Sequence, residues 1–337
     1  MNLSRFFTTA ILSAGIVLSA AAIKTITVKA PKGDATATLA NALRKASAAS
    51  EPVIIKLEPG TYNFSKEKAT RRPYRGSNSA AEYEHPTDIK HIGLLLHGLK
   101  DITIDGGSKA TFLTHGEMTL WVIDSCSNIT MKGLTIDAAD PTVTEMTVTE
   151  RTDSTLTARV HHKSRYDIRD GKLYWLGEGW EFTGGIAQIH QPDKGTATRC
   201  QLPFDNARTI RETAPGTIRI SFDQAPDCRP GDTYQIRHSF RTEHPGFINR
   251  STDVTLEDIK YAYLGNFALL SQFSTNLTFS RIDCSPIEDS GRTNAGFADF
   301  FHFSGCRGKV KIDHCNFSGS QDDGINVHGT HLSITGS

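Results

Sequence analysis

The sequence predicts an all-β protein: a right-handed parallel β-helix that carries an inserted antiparallel module resembling a β-barrel. Two observations predict this fold. A short motif of alternating apolar residues starts at positions 101, 128, 253, 276 and 309, and a period of about 22–27 residues is typical of stacked β-coils. The motif is missing from about 141 to 244, where short alternating segments separated by turn residues are typical of an antiparallel meander.

Composition excludes several classes of protein. The chain has 337 residues, and its 37 Lys and Arg balance 37 Asp and Glu. This balance gives no electrostatic reason to expect a nucleic-acid partner. With 38% apolar and 22% charged residues, the chain is typical of a soluble globular protein. No cofactor motif or metal-ligand spacing occurs, so no cofactor and no metal are expected, and the oligomeric state stays open.

Residues 1–22 are predicted to be a signal peptide. Arg5 precedes an apolar run over residues 6–22 that ends in small residues, which is the pattern of a secretory signal. A membrane anchor would need a longer run. We therefore expect a secreted or periplasmic protein without a membrane anchor.

The six cysteines do not form a dense disulfide pattern. Outside the cytoplasm disulfides can form, and a pair between Cys200 and Cys228 is one interpretation. Cys284 and Cys315 occupy apolar positions of the repeat, so they are expected to be buried thiols.

Residues 23–139 are predicted to form an N-terminal cap and the first coils. Apolar residues recur at helical spacing between residues 34 and 50, which predicts an amphipathic helix. An apolar strand over residues 52–57 follows it and ends at a Pro-Gly turn. Such a helix is expected where the first coil of a solenoid has to be covered.

Each repeat has apolar residues at its second and fourth positions, and in the last four repeats they return at the seventh and ninth. This pattern indicates two alternating strands joined by a two-residue bend. The starts are 27 (101 to 128), 23 (253 to 276) and 33 (276 to 309) residues apart. The longer interval predicts an excursion over residues 285–296. A leucine-rich repeat has a similar period, but its spaced Leu and Asn positions are missing.

Residues 140–246 are predicted to form the inserted module, because its alternating segments are separated by turns such as Arg169-Asp170-Gly171. Trp175 and Trp180 could stack on a sugar ring, although filling a small barrel core is the more common use of Trp.

Residues 247–337 are predicted to hold the coils that carry the candidate catalytic residues. Residues 331–334 restart the repeat, and the sequence ends at Ser337, before that coil could form its second strand. A β-helix needs its last coil covered. We therefore expect a fragment of a longer protein whose C-terminal coils are missing.

Three aspartates are the candidate catalytic residues. Asp322 and Asp323 are adjacent, and Asp299 precedes them by 23 and 24 residues (322 − 299 and 323 − 299), which is about one coil. Residues one coil apart stack on a β-helix, so the three carboxylates should cluster. Glycoside hydrolysis requires one carboxyl that protonates the leaving oxygen and another that activates water or attacks the sugar. An ordinary Asp-Asp-Gly turn and a calcium site are the alternatives.

Three further residues are candidates for substrate binding. His302 and His328 lie close in sequence to the aspartates, and Asn266 precedes Asp299 by 33 residues, which is the length of the enlarged coil. For each of them a purely structural role is the alternative.

Two segments surround these candidates: Phe303-Ser304-Gly305-Cys306-Arg307-Gly308 and Phe317-Ser318-Gly319-Ser320-Gln321-Asp322-Asp323-Gly324-Ile325-Asn326-Val327-His328-Gly329-Thr330-His331. They resemble the α-1,3-galactosidases of glycoside hydrolase family 110, which are exo-enzymes that remove terminal α-1,3-linked galactose, including that of blood group B antigens. The earlier stretch over residues 91–107 is also similar to that family. The resemblance covers nearly the whole mature chain, but only the N-terminal part of a typical member.

The resemblance implies a parallel β-helix with an inserted β-barrel, an inverting mechanism and a glycan or oligosaccharide substrate. It implies that Asp322 is the general acid and that Asp299 and Asp323 hold and deprotonate the attacking water. A polygalacturonase-like pectin hydrolase is the main alternative, and it would need basic residues near the aspartates, for which Arg307, Lys309 and Lys311 are the candidates. A polysaccharide lyase and a non-catalytic carbohydrate-binding β-helix are the others.

Overall fold

The computed structural model describes residues 23–79 and 89–329. The predicted signal peptide and the repeat at residues 331–334 lie outside the described residues. Within the described ranges, no helix is long and apolar enough to cross a bilayer.

Before the insertion, the residues that the structure describes form one α-helix and eight strands. The helix is shorter at both ends than predicted, and it buries Leu39, Ala42, Leu43 and Ala46 as the spacing predicted. The elements are helix α1 (Thr36–Ser47) and strands β1 (Lys24–Val28), β2 (Val53–Leu57), β3 (Gly60–Ser65), β4 (Thr70–Pro73), β5 (Ile89–His97), β6 (Lys100–His115), β7 (Thr119–Asp124) and β8 (Ser127–Ala138).

The insertion and the following coils are also built from strands, with short 3-10 turns at Lys66–Lys68 and Pro192–Lys194. The inserted strands are β9 (Thr144–Arg151), β10 (Thr155–Val160), β11 (Arg165–Arg169), β12 (Lys172–Gly177), β13 (Trp180–Phe182), β14 (Ile186–Gln191), β15 (Thr196–Cys200), β16 (Thr209–Ala214), β17 (Thr217–Ser221) and β18 (Thr233–Arg237). The later strands are β19 (Gly246–Asn249), β20 (Thr252–Tyr261), β21 (Leu269–Gln272), β22 (Thr275–Cys284), β23 (Phe301–Ser304), β24 (Arg307–Asp313), β25 (Asn316–Phe317) and β26 (Ile325–His328).

Outside the insertion, the strands form two sheets with parallel ladders. The repeat sheet has the order β1-β2-β6-β8-β20-β22-β24, with β3 beside β6 and β25 beside β22. The site sheet has the order β26-β23-β21-β19-β7-β5-β4, in which only β4 pairs antiparallel. From β5 onward the chain alternates between the two sheets, so each coil contributes a strand to both. This alternation is compatible with the predicted parallel β-helix.

The register of the repeat sheet follows the sequence repeat. Ile102 pairs with Ile129, Ile129 with Val254, and Val254 with Leu277. Equivalent apolar positions therefore stack directly, and these four side chains are almost fully buried. Because one coil cannot bury its own apolar face, this stacking supplies the hydrophobic stabilisation.

The residue that starts each of the first four repeats has a backbone reason for its identity. Asp101, Asn128, Asp253 and Asn276 all have φ between 53° and 56°, a left-handed conformation that Asn and Asp tolerate better than other side chains. Asn128 donates to the Asp101 carboxylate at 2.7 Å, and Asn276 donates to Asp253 at 3.0 Å. The sequence motif therefore marks a turn between the two sheets.

The insertion forms a seven-stranded antiparallel sheet, β15-β14-β18-β9-β10-β17-β16, and a three-stranded sheet, β11-β12-β13. Its separate apolar core includes Trp175, which is fully buried. The sugar-stacking interpretation is therefore wrong for Trp175. Trp180 is half-buried and stacks on Phe182. Cys200 and Cys228 are both free thiols, so the disulfide between them is not formed.

A glycine on β19 offers a test of the packing between coils. A Cβ on Gly246 would lie 2.3 Å from Cζ2 of the buried Trp121. Because Trp121 is enclosed and cannot move away, Gly246→Ala should lower the free energy of unfolding by about 1–3 kcal/mol, measured by urea denaturation. The control is Gly33→Ala, where the added Cβ meets no atom within 4 Å. Equal stability of the two variants would contradict this prediction.

Candidate active site

The three predicted aspartates lie together at the start of two paired strands. Asp299 comes just before β23, and Asp322 and Asp323 come just before β26. These strands pair in parallel with Phe301 opposite Ile325, and the Phe300 amide donates to the Asp323 carbonyl at 3.0 Å. One oxygen from each carboxylate lies within 4.8 Å of the other two. The coil spacing therefore predicted this cluster correctly.

The three carboxylates have different surroundings. Asp299 is buried, with 2% of its surface exposed, whereas Asp322 and Asp323 are exposed. Arg241 donates to Asp322 at 3.1 Å, and Asn326 donates to Asp323 at 3.1 Å. The cluster therefore combines one enclosed acid with two acids that a substrate can reach.

The two predicted histidines lie in a row from Asp299. His302 is next to Asp299 in the interior, and His328 is next to His302 and nearer the surface. Nδ1 of His302 lies 2.7 Å from Oδ2 of Asp299, and its Nε2 lies 2.5 Å from Nε2 of His328. His302 is fully buried. The prediction that it binds substrate directly is therefore corrected, because its ring is enclosed by Asp299, His328 and Phe267. His328 is half-buried.

Asn266 is also enclosed. Its side chain is 4% exposed, and its Oδ1 accepts a hydrogen bond from the Thr142 hydroxyl at 2.9 Å. Thr142 in turn contacts the Tyr263 hydroxyl at 2.8 Å. The geometry therefore assigns Asn266 to the junction between the coils and the insertion, and not to substrate contact.

Arginines from the insertion hold the loop that carries Asp322, and the sequence did not single them out. Gln321 is buried, and its Oε1 accepts from Nε of Arg237 at 3.0 Å. Arg199 donates to the Gln321 carbonyl at 2.6 Å, and Gln188 donates to the Ser320 carbonyl at 3.0 Å. The inserted sheet thus positions the residues directly before Asp322. The signal in the sequence for this role of Gln321 is that a polar residue directly precedes Asp322.

The charged guanidinium of Arg237 is buried. The residue is 1% exposed, and its guanidinium lies over the Phe297 ring at 4.4 Å. Burial, and then the positive charges of Arg199 and Arg241, lower the pKa of Arg237 to about 10. It therefore stays charged at neutral pH and depends on its hydrogen bonds, because a buried charge without partners is costly.

The aspartate cluster is also the place where a cation could bind. Ca²⁺ takes about 6–8 oxygen ligands, so the three carboxylates by themselves would not complete its coordination.

A cavity of about 790 Å³ in the insertion, lined by residues such as Tyr166, Arg211 and Glu212, contains none of the three aspartates.

A buried histidine beside the site predicts acid sensitivity of the fold. His244 is fully buried, and among the described residues neither ring nitrogen has a hydrogen-bond partner. Burial, followed by the charges of Lys90 and His302, lowers its pKa well below the ordinary 6.5. Near pH 6.5, His244 therefore takes up a proton in the unfolded chain but not in the folded protein. Below that pH, His244 should cost about 1.4 kcal/mol of stability per pH unit.

His244→Leu should reduce the change of the free energy of unfolding with pH by the equivalent of one bound proton. Urea denaturation from pH 7 to pH 5 measures this change. The control, His314→Asn, replaces a histidine whose side chain is 80% exposed, and it should keep the wild-type slope. An unchanged slope in His244→Leu would contradict the assignment.

This chain is similar to a known domain family over the insertion and to several curated proteins over most of its length. A family profile described as GLAA-B beta-barrel domain I matches residues 144–233, which lie within the antiparallel insertion. A protein named Alpha-1,3-galactosidase A from Bacteroides thetaiotaomicron is 42% identical over 297 residues, covering 88% of this chain and 52% of the relative. Proteins of the same name from Bacteroides fragilis and Akkermansia muciniphila are 36% and 35% identical, covering 83% and 84% of this chain and 46% and 47% of theirs. The chain spans about half the length of these curated relatives, and over most of its own residues it is similar to proteins named alpha-1,3-galactosidase.

Proposed function

We propose that this protein is an exo-glycosidase of glycoside hydrolase family 110 that hydrolyses terminal α-1,3-linked galactose. The observation that carries the proposal is the cluster of Asp299, Asp322 and Asp323, in a chain similar to curated proteins named alpha-1,3-galactosidase. The substrate would be a glycan or oligosaccharide of blood group B type, with linear α-1,3-galactosyl chains as a second class. We further propose that the protein is exported, because of the signal peptide predicted over residues 1–22.

In the proposed mechanism, Asp322 protonates the glycosidic oxygen while Asp299 and Asp323 hold and deprotonate the attacking water. Asp322 is exposed and can reach a leaving group. We also propose that the chain divides into a cap with first coils (23–139), an insertion (140–246) and later coils (247–337). In this arrangement the insertion holds the loop of the acid, and the coils carry all three carboxylates.

The stereochemistry of the reaction is a further part of the proposal, because the resemblance implies inversion. Inverting enzymes keep their two carboxyl groups about 6.5–9.5 Å apart, and retaining enzymes keep them about 5–5.5 Å apart. Here one oxygen of each carboxylate lies within 4.8 Å of the other two, which bounds the closest oxygens and not the separation of the carboxyl groups. We propose inversion, because the third aspartate offers a second group for holding water. Proton NMR of the first-formed galactose checks this: inversion of an α-linkage yields β-galactose, and α-galactose would contradict it.

The activity is tested by incubating the protein with a fucosylated blood group B trisaccharide and with a linear α-1,3-galactosyl oligosaccharide. Release of free galactose from either one is the expected result, and comparing the two gives the substrate preference. Binding without galactose release would instead indicate the non-catalytic alternative.

Polygalacturonate is the matched alternative substrate, because Arg241 contacts Asp322 and Arg199 contacts the neighbouring Gln321, and a uronate carboxylate would pair with such arginines. Arg307, Lys309 and Lys311, which were the predicted basic candidates, are on β24 in the repeat sheet and not on the site sheet. Reducing ends from polygalacturonate, without galactose from the other substrates, would favour the pectin hydrolase.

A further inference from the structure

A glutamate from the first coils faces a histidine from the end of the insertion. Glu117 lies in the turn between β6 and β7, and Oε1 of its carboxylate lies 2.5 Å from Nε2 of His238. Nδ1 of His238 accepts a hydrogen bond from the Phe240 amide at 3.1 Å. Because Nδ1 accepts, the ring proton lies on Nε2, and this nitrogen donates to Glu117. His238 therefore fixes Glu117 in place as an ionised acceptor.

The Glu117 carboxylate is largely enclosed, yet only one of its oxygens is paired. The side chains of Glu117 and His238 are 13% and 10% exposed, and the histidine ring packs against Phe182 and Phe297. Among the residues that the structure describes, His238 is the one hydrogen-bonding partner of this carboxylate, and Oε2 is not one of the fully enclosed polar atoms. An enclosed charge needs further hydrogen bonds. Oε2 is therefore placed to accept from a hydroxyl group of a ligand.

Glu117 lies at the same edge of the site sheet as the aspartates. It precedes β7, as Asp299 precedes β23 and Asp323 precedes β26. Strands β19 and β21 lie between β7 and β23, so three ladder steps of about 4.8 Å place the two strand starts about 14 Å apart. Side chains that reach in from both ends leave room for one sugar ring with its hydroxyls. A sugar held at the aspartates can therefore extend to Glu117.

Phe240 provides an aromatic wall beside this space. It is 46% exposed, its amide supports His238, and the next residue, Arg241, donates to Asp322 at 3.1 Å. Galactose has an axial hydroxyl on C4, which leaves the opposite face of its ring covered by C–H groups. Sites for small ligands combine aromatic walls with a few polar groups that fix orientation. Phe240 and Glu117 supply one of each.

We propose that Glu117 accepts a hydrogen bond from the C4 hydroxyl of the terminal galactose while Phe240 packs on the apolar face of that ring. This inference rests on the proposed function and deepens it. C4 lies across the ring from the anomeric carbon, so a galactose whose anomeric carbon faces Asp299 and Asp322 turns its C4 hydroxyl toward Glu117. The pair of Glu117 and His238 then closes the far end of the site, which restricts cleavage to a terminal sugar. Glu117 and Phe240 contact the substrate, and His238 is a positioning residue.

Binding of free sugars tests this inference without turnover. By isothermal titration calorimetry, the wild-type chain should bind galactose about 10–100-fold more tightly than 4-deoxygalactose, because the analogue cannot donate to the charged carboxylate. Glu117→Ala removes the acceptor and should bind both sugars equally. Glu117→Gln keeps an acceptor for His238 and a second polar group, so its preference should lie between these two. Equal binding by the wild type, or an unchanged preference in Glu117→Ala, would overturn the inference.

The control for these variants is Glu150→Gln, which changes an exposed glutamate of the insertion. It removes the same charge away from the site and should keep the wild-type preference for galactose.

Phe240→Leu tests the aromatic wall at an exposed position, where the fold should stay intact. KM for an α-1,3-galactosyl oligosaccharide should rise about fivefold with kcat unchanged, because stacking on the ring is lost from both the bound substrate and the transition state. The matched control is Phe273→Leu, since Phe273 is 41% exposed and follows β21 at the opposite edge of the site sheet. An unchanged KM in Phe240→Leu would overturn the role of Phe240.

The binding measurement separates failure of this inference from failure of the proposed function. Release of galactose by a protein that binds galactose and 4-deoxygalactose equally would overturn only the role of Glu117. The expected preference for galactose in a protein that releases none would support the binding role and contradict only the proposed hydrolysis.

Discussion

Asp322→Asn should lower kcat for galactose release from an α-1,3-galactosyl oligosaccharide by at least about 10²-fold, because the amide cannot give a proton to the leaving oxygen. Activity on an aryl α-galactoside with a good leaving group should fall much less, since that departure needs little help from an acid. Asp299→Asn should lower activity on both substrates, because activation of water is required in either case. Steady-state kinetics with the two substrates measure both effects.

The control for this pair is Asp313→Asn. Asp313 lies on β24 in the repeat sheet and pairs with Lys311, so its loss removes a carboxylate without touching the cluster. Wild-type kcat is expected for it. If Asp322→Asn lost as much activity on the aryl substrate as on the oligosaccharide, Asp322 would not be the general acid.

Gln321→Leu should both destabilise the protein and misplace Asp322. The substitution removes the acceptor that Arg237 contacts at 3.0 Å and leaves that buried guanidinium with one hydrogen bond fewer. A buried partner left unsatisfied costs about 1–3 kcal/mol, and more when it is charged. Because Gln321 directly precedes Asp322, we expect kcat to fall by about 10²-fold, the effect of a displacement near 1 Å.

Two variants separate these effects. Gln321→Glu keeps an acceptor for Arg237, so it should lose less stability in urea denaturation than Gln321→Leu. Gln201→Leu changes an exposed glutamine of the insertion, and it should match the wild type in stability and kcat. A stable Gln321→Leu protein with wild-type kcat would show that the insertion does not position the acid.

Repetition explains how much of the fold was predictable. The apolar positions recur at equivalent places within each repeat because every coil follows the same backbone path. The sequence repeat therefore translates into strand register, as with Ile129 and Val254. The Asp and Asn that start the repeats recur for the same reason, since each coil turns at a backbone position with positive φ. Asp299 and Asp323 are one coil apart, and the same argument brought them together.

Contacts between the insertion and the coils follow no such period. Arg199 meets Gln321 across 122 residues, and Arg241 meets Asp322 across 81. These pairings depend on how the inserted sheet folds back on the coils, which no spacing in the sequence encodes. The same holds for the burial of Asn266, whose contact with Thr142 is made where the insertion leaves the coils.

The sequence by itself determined the stacking of the coils, the place of the insertion and the cluster of three aspartates, because these follow from periodicity and from local backbone preferences. Only the tertiary structure decided which groups surround each aspartate: Arg241 at Asp322, the buried His302 at Asp299, and the insertion that holds Gln321. The physical reason is that burial and hydrogen bonding between distant segments depend on how whole sheets pack. That packing assigns the residues around each acid their different roles.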